Sequence, residues 1–232
     1  MAKLFLSEGM LARSFWSAIE GSPLNEDADA DVRKIIKGSL NQLKEFKQEA
    51  GSIGPESCKA LWLLSRYFSP KVICEIGTYI GRSTMSLYLG AGSNLEHLYT
   101  CDGTFDCWDK NCLKNNFSKA EIHYFGKTMS TEMLGELIKL DKKIDLLFID
   151  GRISSEDINM LRNLITSGTV IVLDDFMGVE KGVINAVMLR EAFRGYMLFD
   201  PIDCPYSTAI ATMIPAKLIA LSRQQTLPIP MS

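Results

Sequence analysis

A carboxylate, Glu75, closes a short apolar run and is followed at once by Ile76-Gly77-Thr78-Tyr79-Ile80-Gly81-Arg82-Ser83-Thr84. Gly77 and Gly81 let the backbone turn tightly and let a ligand come close, and a helix starting after them aims unpaired N–H groups at whatever binds there. Glycines in this position also make ordinary strand-to-helix turns, so the run alone is a weak signal. Two acids strengthen it. Glu75 stands where a carboxylate suits a positively charged ligand group, and Asp102 closes the next apolar run, twenty-seven positions later. An acid there accepts both hydroxyls of a ribose, so the pair suits a ligand carrying a nucleoside. A second constellation is wholly acidic: Asp150, Asp174 and Asp175 also close apolar runs. Open α/β sheets bind ligands at the carboxyl ends of their strands. Three clustered carboxylates repel unless a cation, a proton or a donor intervenes, and an oxygen-only set suits magnesium or calcium. Adjacent acids at strand ends serve equally as caps for backbone N–H groups, and that reading of Asp174 and Asp175 stays open.

Strands must carry these groups. Continuous apolar runs at Val72 to Ile76, Leu98 to Cys101, Ile144 to Ile149 and Val170 to Leu173 predict strands covered by helices on both faces of a parallel sheet. The segments Ser83 to Leu89, Asp157 to Ile165 and Gly182 to Phe193 supply intervening helices. Tyr196 to Phe199 and Thr208 to Ile214 read as two strands whose short Pro-containing connection has no room for a crossover helix, so they pair antiparallel. Three helices come first, over Leu4 to Ile19, over about Asp31 to Ala50, and from Pro55 onward. The expected fold is α/β, a Rossmann-like three-layer sandwich whose mostly parallel seven-stranded sheet ends in an antiparallel pair. Residues 1–52 read as an N-terminal helical cap or dimer segment and 53–232 as the ligand-binding domain.

Composition excludes several function classes. The net charge is −3, and no run of Lys or Arg is long enough to be the footprint of nucleic acid or anionic membrane binding. A small-molecule substrate is expected instead. No apolar stretch reaches the ~18 to 20 residues that span a bilayer, and only Lys3 precedes a short, interrupted apolar run, so the expected location is the cytoplasm. Of six cysteines, Cys74 and Cys101 lie inside apolar runs and read as reduced core residues, while Cys101, Cys107 and Cys112 lack the C-x-x-C spacing of structural zinc.

Taken together, EIGTYIGRST at 75–84, the preceding Pro-Glu-Ser helix start, Cys-Asp at 101–102, Phe-Ile-Asp-Gly at 148–151 and Val-Leu-Asp-Asp at 172–175 resemble class I S-adenosylmethionine-dependent methyltransferases. The closest branch holds the catechol, caffeoyl-CoA and macrolide-sugar O-methyltransferases, and the resemblance covers about Ile53 to Pro215. Tyr79 stands where the tighter G-x-G-x-x-G of dinucleotide dehydrogenases has its middle glycine. The resemblance implies that Glu75, Gly77 and Thr78 line the methionine part of the cofactor, with Gly81 in the turn and Ser83 near the methionine carboxylate. Asp102 would hold the ribose with Gly103 and Thr104 alongside, and Gly126, Lys127, Thr128 and Met129 would border the adenine. Asp150 would face both cofactor and substrate. In metal-dependent members the positions matching Asp150, Asp174 and Asp175 hold Mg2+ through Asp, Asp and Asn.

The chain departs from that pattern in its acid–base groups. Ile153 replaces a lysine often found three residues after the strand-four acid, and the two histidines, His97 and His123, fall away from the ligand edge. A protein base is then expected to be Asp150, Asp175 or a tyrosine such as Tyr206, while Glu180 and Lys181 read as solvated residues at a helix start. The implied function is methyl transfer from S-adenosylmethionine to an oxygen of a small-molecule acceptor. Two other readings stay open: an enzyme that uses S-adenosylmethionine as its own substrate and releases methylthioadenosine, and a non-catalytic cofactor-binding partner. Apolar positions on the first helix suit either a lid or a homodimer contact.

Overall fold

The structure, a computed structural model, describes residues 24–46, 52–104, 120–175, 179–193, 197–199 and 209–212. Helix α1 (Leu24–Phe46) begins straight after the Gly21-Ser22-Pro23 break, seven residues before the sequence-based start at Asp31. Glu26 and Asp27 sit in its first turn, where negative charge suits the unpaired N–H groups. Helix α2 (Pro55–Phe68) opens on its proline, which loses nothing by lacking an N–H at that position. Then strand and helix alternate: β1 (Val72–Ile76), α3 (Arg82–Ala91), β2 (His97–Asp102), β3 (Glu121–Gly126), α4 (Ser130–Lys139), β4 (Ile144–Ile149), α5 (Ser155–Leu164) and β5 (Ile165–Leu173). A π-helical turn over Val179–Val183 runs into α6 (Ile184–Ala192), and β6 (Met197–Phe199) and β7 (Ala209–Thr212) follow. The expected helix over Leu4 to Ile19 lies outside the described residues.

Among the described residues the strands form one sheet in the order β3-β2-β1-β4-β5-β7-β6. The first five are parallel, and β7 pairs antiparallel with both β5 and β6. Period-two alternation of side chains splits the sheet's apolar residues between two cores. Ile73, Leu98, Leu146, Phe148, Val170 and Val172 pack with α1, α2 and α3, including Ala28, Val32, Leu61, Trp62 and Leu87. Cys74, Ile76, Cys101, Leu147, Ile149, Ile171 and Leu173 pack with α4, α5 and α6, including Met133, Leu137, Leu161 and Leu189. Helix α1 is tied to the first core by polar contacts as well, since Trp62 Nε1 donates to Asp31 Oδ2 at 3.1 Å. No described helix is long and apolar enough to cross a membrane.

Helix α3 must pack flat on α2 because it carries the turn that follows β1. Gly90 makes this contact close: a Cβ there would lie 2.3 Å from the Trp62 carbonyl oxygen and 2.9 Å from Ser65 Cβ. Ser65 Oγ reinforces the contact by donating to the Leu87 carbonyl at 2.7 Å. Alanine raises helix propensity by about 1 kcal/mol over glycine, but overpacking against backbone costs about 1–3 kcal/mol and wins here. Gly90→Ala is therefore expected to lower stability, read as a reduced urea midpoint. A midpoint at or above wild type would show that the two helices separate freely.

Candidate active site

The carboxyl ends of β1, β2, β4 and β5 meet along one edge. After β1 the backbone N–H groups of Gly77 and Thr78 both donate to the Cys101 carbonyl, at 2.9 and 3.1 Å, which folds the turn onto β2. Gly77 has φ +107°, and a Cβ on it would come within 3.0 Å of the Asp150 carbonyl carbon, so only glycine fits between the β1 and β4 ends. Gly81, at φ +79°, closes the Thr78–Gly81 turn and precedes α3 without any side-chain cap. The first-turn N–H groups of α3 are thereby left to face a ligand. Tyr79 adopts φ +44°, a left-handed conformation unusual for a bulky residue. Its N–H donates to Asp102 Oδ2 at 2.8 Å, which anchors the strained turn to the strand-two acid.

Asp102 is buried, and its other oxygen accepts the Thr104 N–H at 2.9 Å. The carboxylate is thus fixed in orientation by backbone, and with about four lone-pair sites it has the capacity to accept ribose hydroxyls too. The Thr128 N–H donates to the Asp102 carbonyl, bringing the turn after β3 alongside. Met129 in that turn is 62% exposed, and its Sδ lies 3.5 Å from where a Gly103 Cβ would stand. An apolar side chain exposed beside a buried acid fits a flat ring seated over it. The turn after β1, the fixed acid and this exposed thioether together fit a nucleoside-bearing cofactor.

Glu75 lies deeper than a surface ligand group. It is fully buried, and its Oε2 accepts the hydroxyls of Thr84 at 2.6 Å and Thr100 at 2.5 Å. With its proton given to Glu75, Thr100 accepts from Thr78, so Thr78 joins the same chain. Burial pushes the Glu75 carboxyl up to about 7, against hydrogen bonds from Ser83, Thr100 and Thr84 that lower it. Ser83 therefore sits on Glu75. The folded chain holds this proton more tightly than the unfolded one, so the site's contribution to stability is present at low pH and falls as pH rises from 4.5 to about 7. Glu75→Gln is expected to flatten that part of the stability curve and to raise stability above pH 7 by on the order of 3 kcal/mol. Urea titrations across this range measure it, and an unchanged curve would count against a buried charge at this position.

The acidic constellation contains a residue that the sequence reading placed in solvent. Lys181 Nζ bonds to Asp150 Oδ1 and lies 2.7 Å from Asp175 Oδ2, while its side chain is only 26% exposed. Lys181 is thus no solvated helix-start group. It comes from the π-helical turn, and Asn185 lies four residues later, on the same face of the helix. Asn185 is buried; its Nδ2 donates to the Gly151 carbonyl at 2.8 Å and its Oδ1 accepts the Ile153 N–H at 3.2 Å. Lys181 and Asn185 together clamp the loop after β4. A Lys-x-x-x-Asn pair at helical spacing was the only sequence signal for them. Ile153 itself points into the second core, so the position three residues after Asp150 is structural here.

Electrostatics pull both ways on this pair. Burial and then the Asp174 charge push the Asp150 carboxyl up to about 7, with Lys181 pulling the other way. Burial would lower Lys181, but its bonds to Asp150 and Asp175 outweigh this and hold it above the ordinary lysine value. Asp175 adopts φ +51°, a conformation aspartate tolerates better than most residues. Magnesium demands several oxygens at about 2.0–2.1 Å, and here the facing oxygens of Asp150 and Asp175 already share an ammonium. The acids as arranged do not fit an open metal cage.

The histidines are placed together elsewhere. His97 opens β2, five residues or about 16 Å along the strand from Asp102. It meets His123 at 3.3 Å and Glu121 at 3.2 Å, and Lys142 Nζ lies 3.0 Å from its other ring nitrogen. Cys58, Cys74 and Cys101 are free and buried, with burial raising Cys58 to about 11 and Cys101 to about 12, so these are inert thiols. Arg82 is held by Ser39 Oγ of α1 at 2.7 Å and the Ile53 carbonyl at 3.1 Å, which ties α1 to the start of α3. Cys107, Cys112, Glu180 and Tyr206 lie where side chains are outside the described residues.

Comparison with known proteins bears on this edge. Residues 74–176 match a family described as methyltransferase domain. No curated protein matches the chain in sequence. The fold is similar to TomG from Streptomyces achromogenes, an O-methyltransferase involved in tomaymycin synthesis and crystallised with SAM. That likeness has TM-score 0.58 and 18% identity over 77% of this chain and 88% of that one. An O-methyltransferase from Bacillus cereus in complex with SAH gives TM-score 0.58 and 20% identity over 78% and 89%. The SAH-bound methyltransferase PaMTH1 of Podospora anserina gives 0.55 and 13% over 83% and 96%. At such identities these structures establish the Rossmann-like fold. The family match runs from the strand bearing Glu75 through Asp102 and Asp150 to the Asp174-Asp175 pair, so the stretch that carries this edge is the stretch similar to a methyltransferase domain.

Proposed function

We propose that the enzyme transfers a methyl group from S-adenosylmethionine to an oxygen of a small-molecule acceptor at the edge formed by Asp150, Asp175 and Lys181. One observation carries this reading. The backbone-fixed carboxylate of Asp102 and the Asp150–Lys181–Asp175 group flank the Gly77 turn, on strands two spacings or about 10 Å apart. A single edge therefore has one station suited to a nucleoside and another suited to a polar acceptor. The SAM- and SAH-bound state of similar folds supports the choice of cofactor.

S-adenosylmethionine, when bound, supplies a methyl group on a positively charged sulfur. The chain's own residues do the rest. Asp102, held by the Tyr79 and Thr104 N–H groups, fixes the ribose and with it the direction of approach. Glu75, held by the hydroxyls of Thr84 and Thr100, places a buried carboxyl beneath the Gly77 turn. Lys181 Nζ faces an acceptor oxygen, favours its anionic form and holds the two carboxylates in place, and Asp150 or Asp175 takes the hydroxyl proton. Displacement at a methyl group needs little beyond this alignment and proton removal. No step requires a metal ion. Helix α1 acts as a cap beside this edge, a role supported by the bond that ties Ser39 to Arg82 at the start of α3.

Product analysis tests the reading. Incubation with S-adenosylmethionine and a panel of hydroxylated small molecules should yield S-adenosylhomocysteine and a methylated acceptor. Methylthioadenosine formed without any acceptor would instead show that the cofactor itself is the substrate. Of the two sequence grounds for that alternative, Lys181 answers the lack of a basic group near Asp150, while Asp175 still stands where metal-dependent relatives have asparagine.

A further inference from the structure

Three acids at adjoining strand ends need positive charge among them, and a divalent ion or a side-chain cation would each supply it. The structure already places such a cation. Lys181 Nζ contacts Asp150 Oδ1 and Asp175 Oδ2 together, and the Asp150 and Lys181 side chains are only 12% and 26% exposed, unlike a casual surface pair. The lysine is delivered from a separate element, the π-helical turn, and Asn185 on the same face locks the loop that carries Asp150. Helical turns of this type are rare and are frequently found at functional sites. An ion and this ammonium would claim the same carboxylate lone pairs, and each would repel the other.

We propose that the Lys181 ammonium is the resident cation of this methyltransferase, seated between Asp150 and Asp175 in place of a divalent ion, so that the acceptor site operates without a metal. The inference rests on the O-methyl-transfer reading for the role of the acceptor site, but the cation's identity is testable by itself. In this arrangement Lys181 positions the two carboxylates and presents fixed positive charge to the acceptor oxygen. Asp175, the more exposed of the two acids, is the side from which an acceptor reaches Nζ.

The test uses Mn2+ as the probe, with the electron spin resonance signal of the free ion as readout. Wild-type full-length protein should leave Mn2+ free. Lys181→Met should open the acids and bind Mn2+ at least about tenfold more tightly, since one unit charge a few ångströms away has been removed. The double variant Lys181→Met/Asp150→Asn should lose that site. Wild-type protein that takes up one Mn2+ equivalent, released by Asp150→Asn or Asp175→Asn, would overturn the proposal. So would a folded Lys181→Met that binds Mn2+ no better than wild type. If circular dichroism shows Lys181→Met unfolded, Lys181→Gln replaces it, and the wild-type arm decides in either case. Calorimetry with S-adenosylmethionine on the same samples separates the two readings. Absent cofactor binding would remove the methyl-transfer reading while leaving the Mn2+ result intact.

Discussion

Asp150→Asn and Asp175→Asn are each expected to lower the methyl-transfer rate at least about a hundredfold, the usual size of a general acid–base contribution. Asparagine keeps the shape of either side chain and removes both the proton acceptor and half of the charge that holds Lys181. The effect belongs on the rate, because the described bonds of Asp102 and of the Gly77 turn to the backbone are untouched. Initial rates with calorimetric cofactor affinity on the same samples separate the two quantities. His97→Ala and His123→Ala serve as controls and should leave turnover within a few-fold, since both rings lie at the far end of β2 and β3. Folded but inactive histidine variants beside active asparagine variants would place the chemistry at the wrong end of the sheet.

Asp102→Ala is expected to weaken S-adenosylmethionine binding by roughly 1.5–3 kcal/mol, or about ten- to 150-fold, the range for hydrogen bonds to a charged group. The structure gives the loss a second source. Asp102 accepts from Tyr79 N–H, so its loss removes a bond that anchors a tyrosine in left-handed conformation, and the turn after β1 loosens. Tyr79→Gly removes that strain and separates the contributions. In the Asp102→Ala background it should recover part of the affinity if turn order matters, and none if only the ribose contact does. Calorimetry reads both. A folded Asp102→Ala protein with wild-type affinity would leave no ribose role for this acid.

How far the sequence reached depended on the range over which each feature is encoded. β1 and β4 matched their apolar runs at both ends because every β1 residue and all but one of β4 are buried, so hydrophobicity marks the whole strand. β5 starts five residues before its apolar run, at Ile165, since Thr166, Ser167 and Gly168 are exposed there and carry no hydrophobic mark. Helix α5 starts two residues earlier than read, on a Ser154–Asp157 capping box that periodicity does not register. The turn after β1 and Asp102 were legible because glycine spacing and a strand-end acid are local signals. Lys181 was not. What sets it apart is a contact with Asp150, thirty-one positions away, and a charged residue at the start of a helix looks the same in sequence whether it faces water or a buried carboxylate.

On the proposed reading, the clamp by Lys181 and Asn185 places much of the acceptor edge on a stretch of chain separate from the ribose and adenine residues. On the same reading the residues for ribose and adenine arise between Asp102 and Met129 and Asp150 serves both tasks, whereas Lys181 and Asn185, which clamp the acceptor edge, follow the last parallel strand. Exchanging residues 181–185 between proteins of this fold is then expected to change acceptor preference more than cofactor affinity, which makes this helical turn a compact unit for grafting.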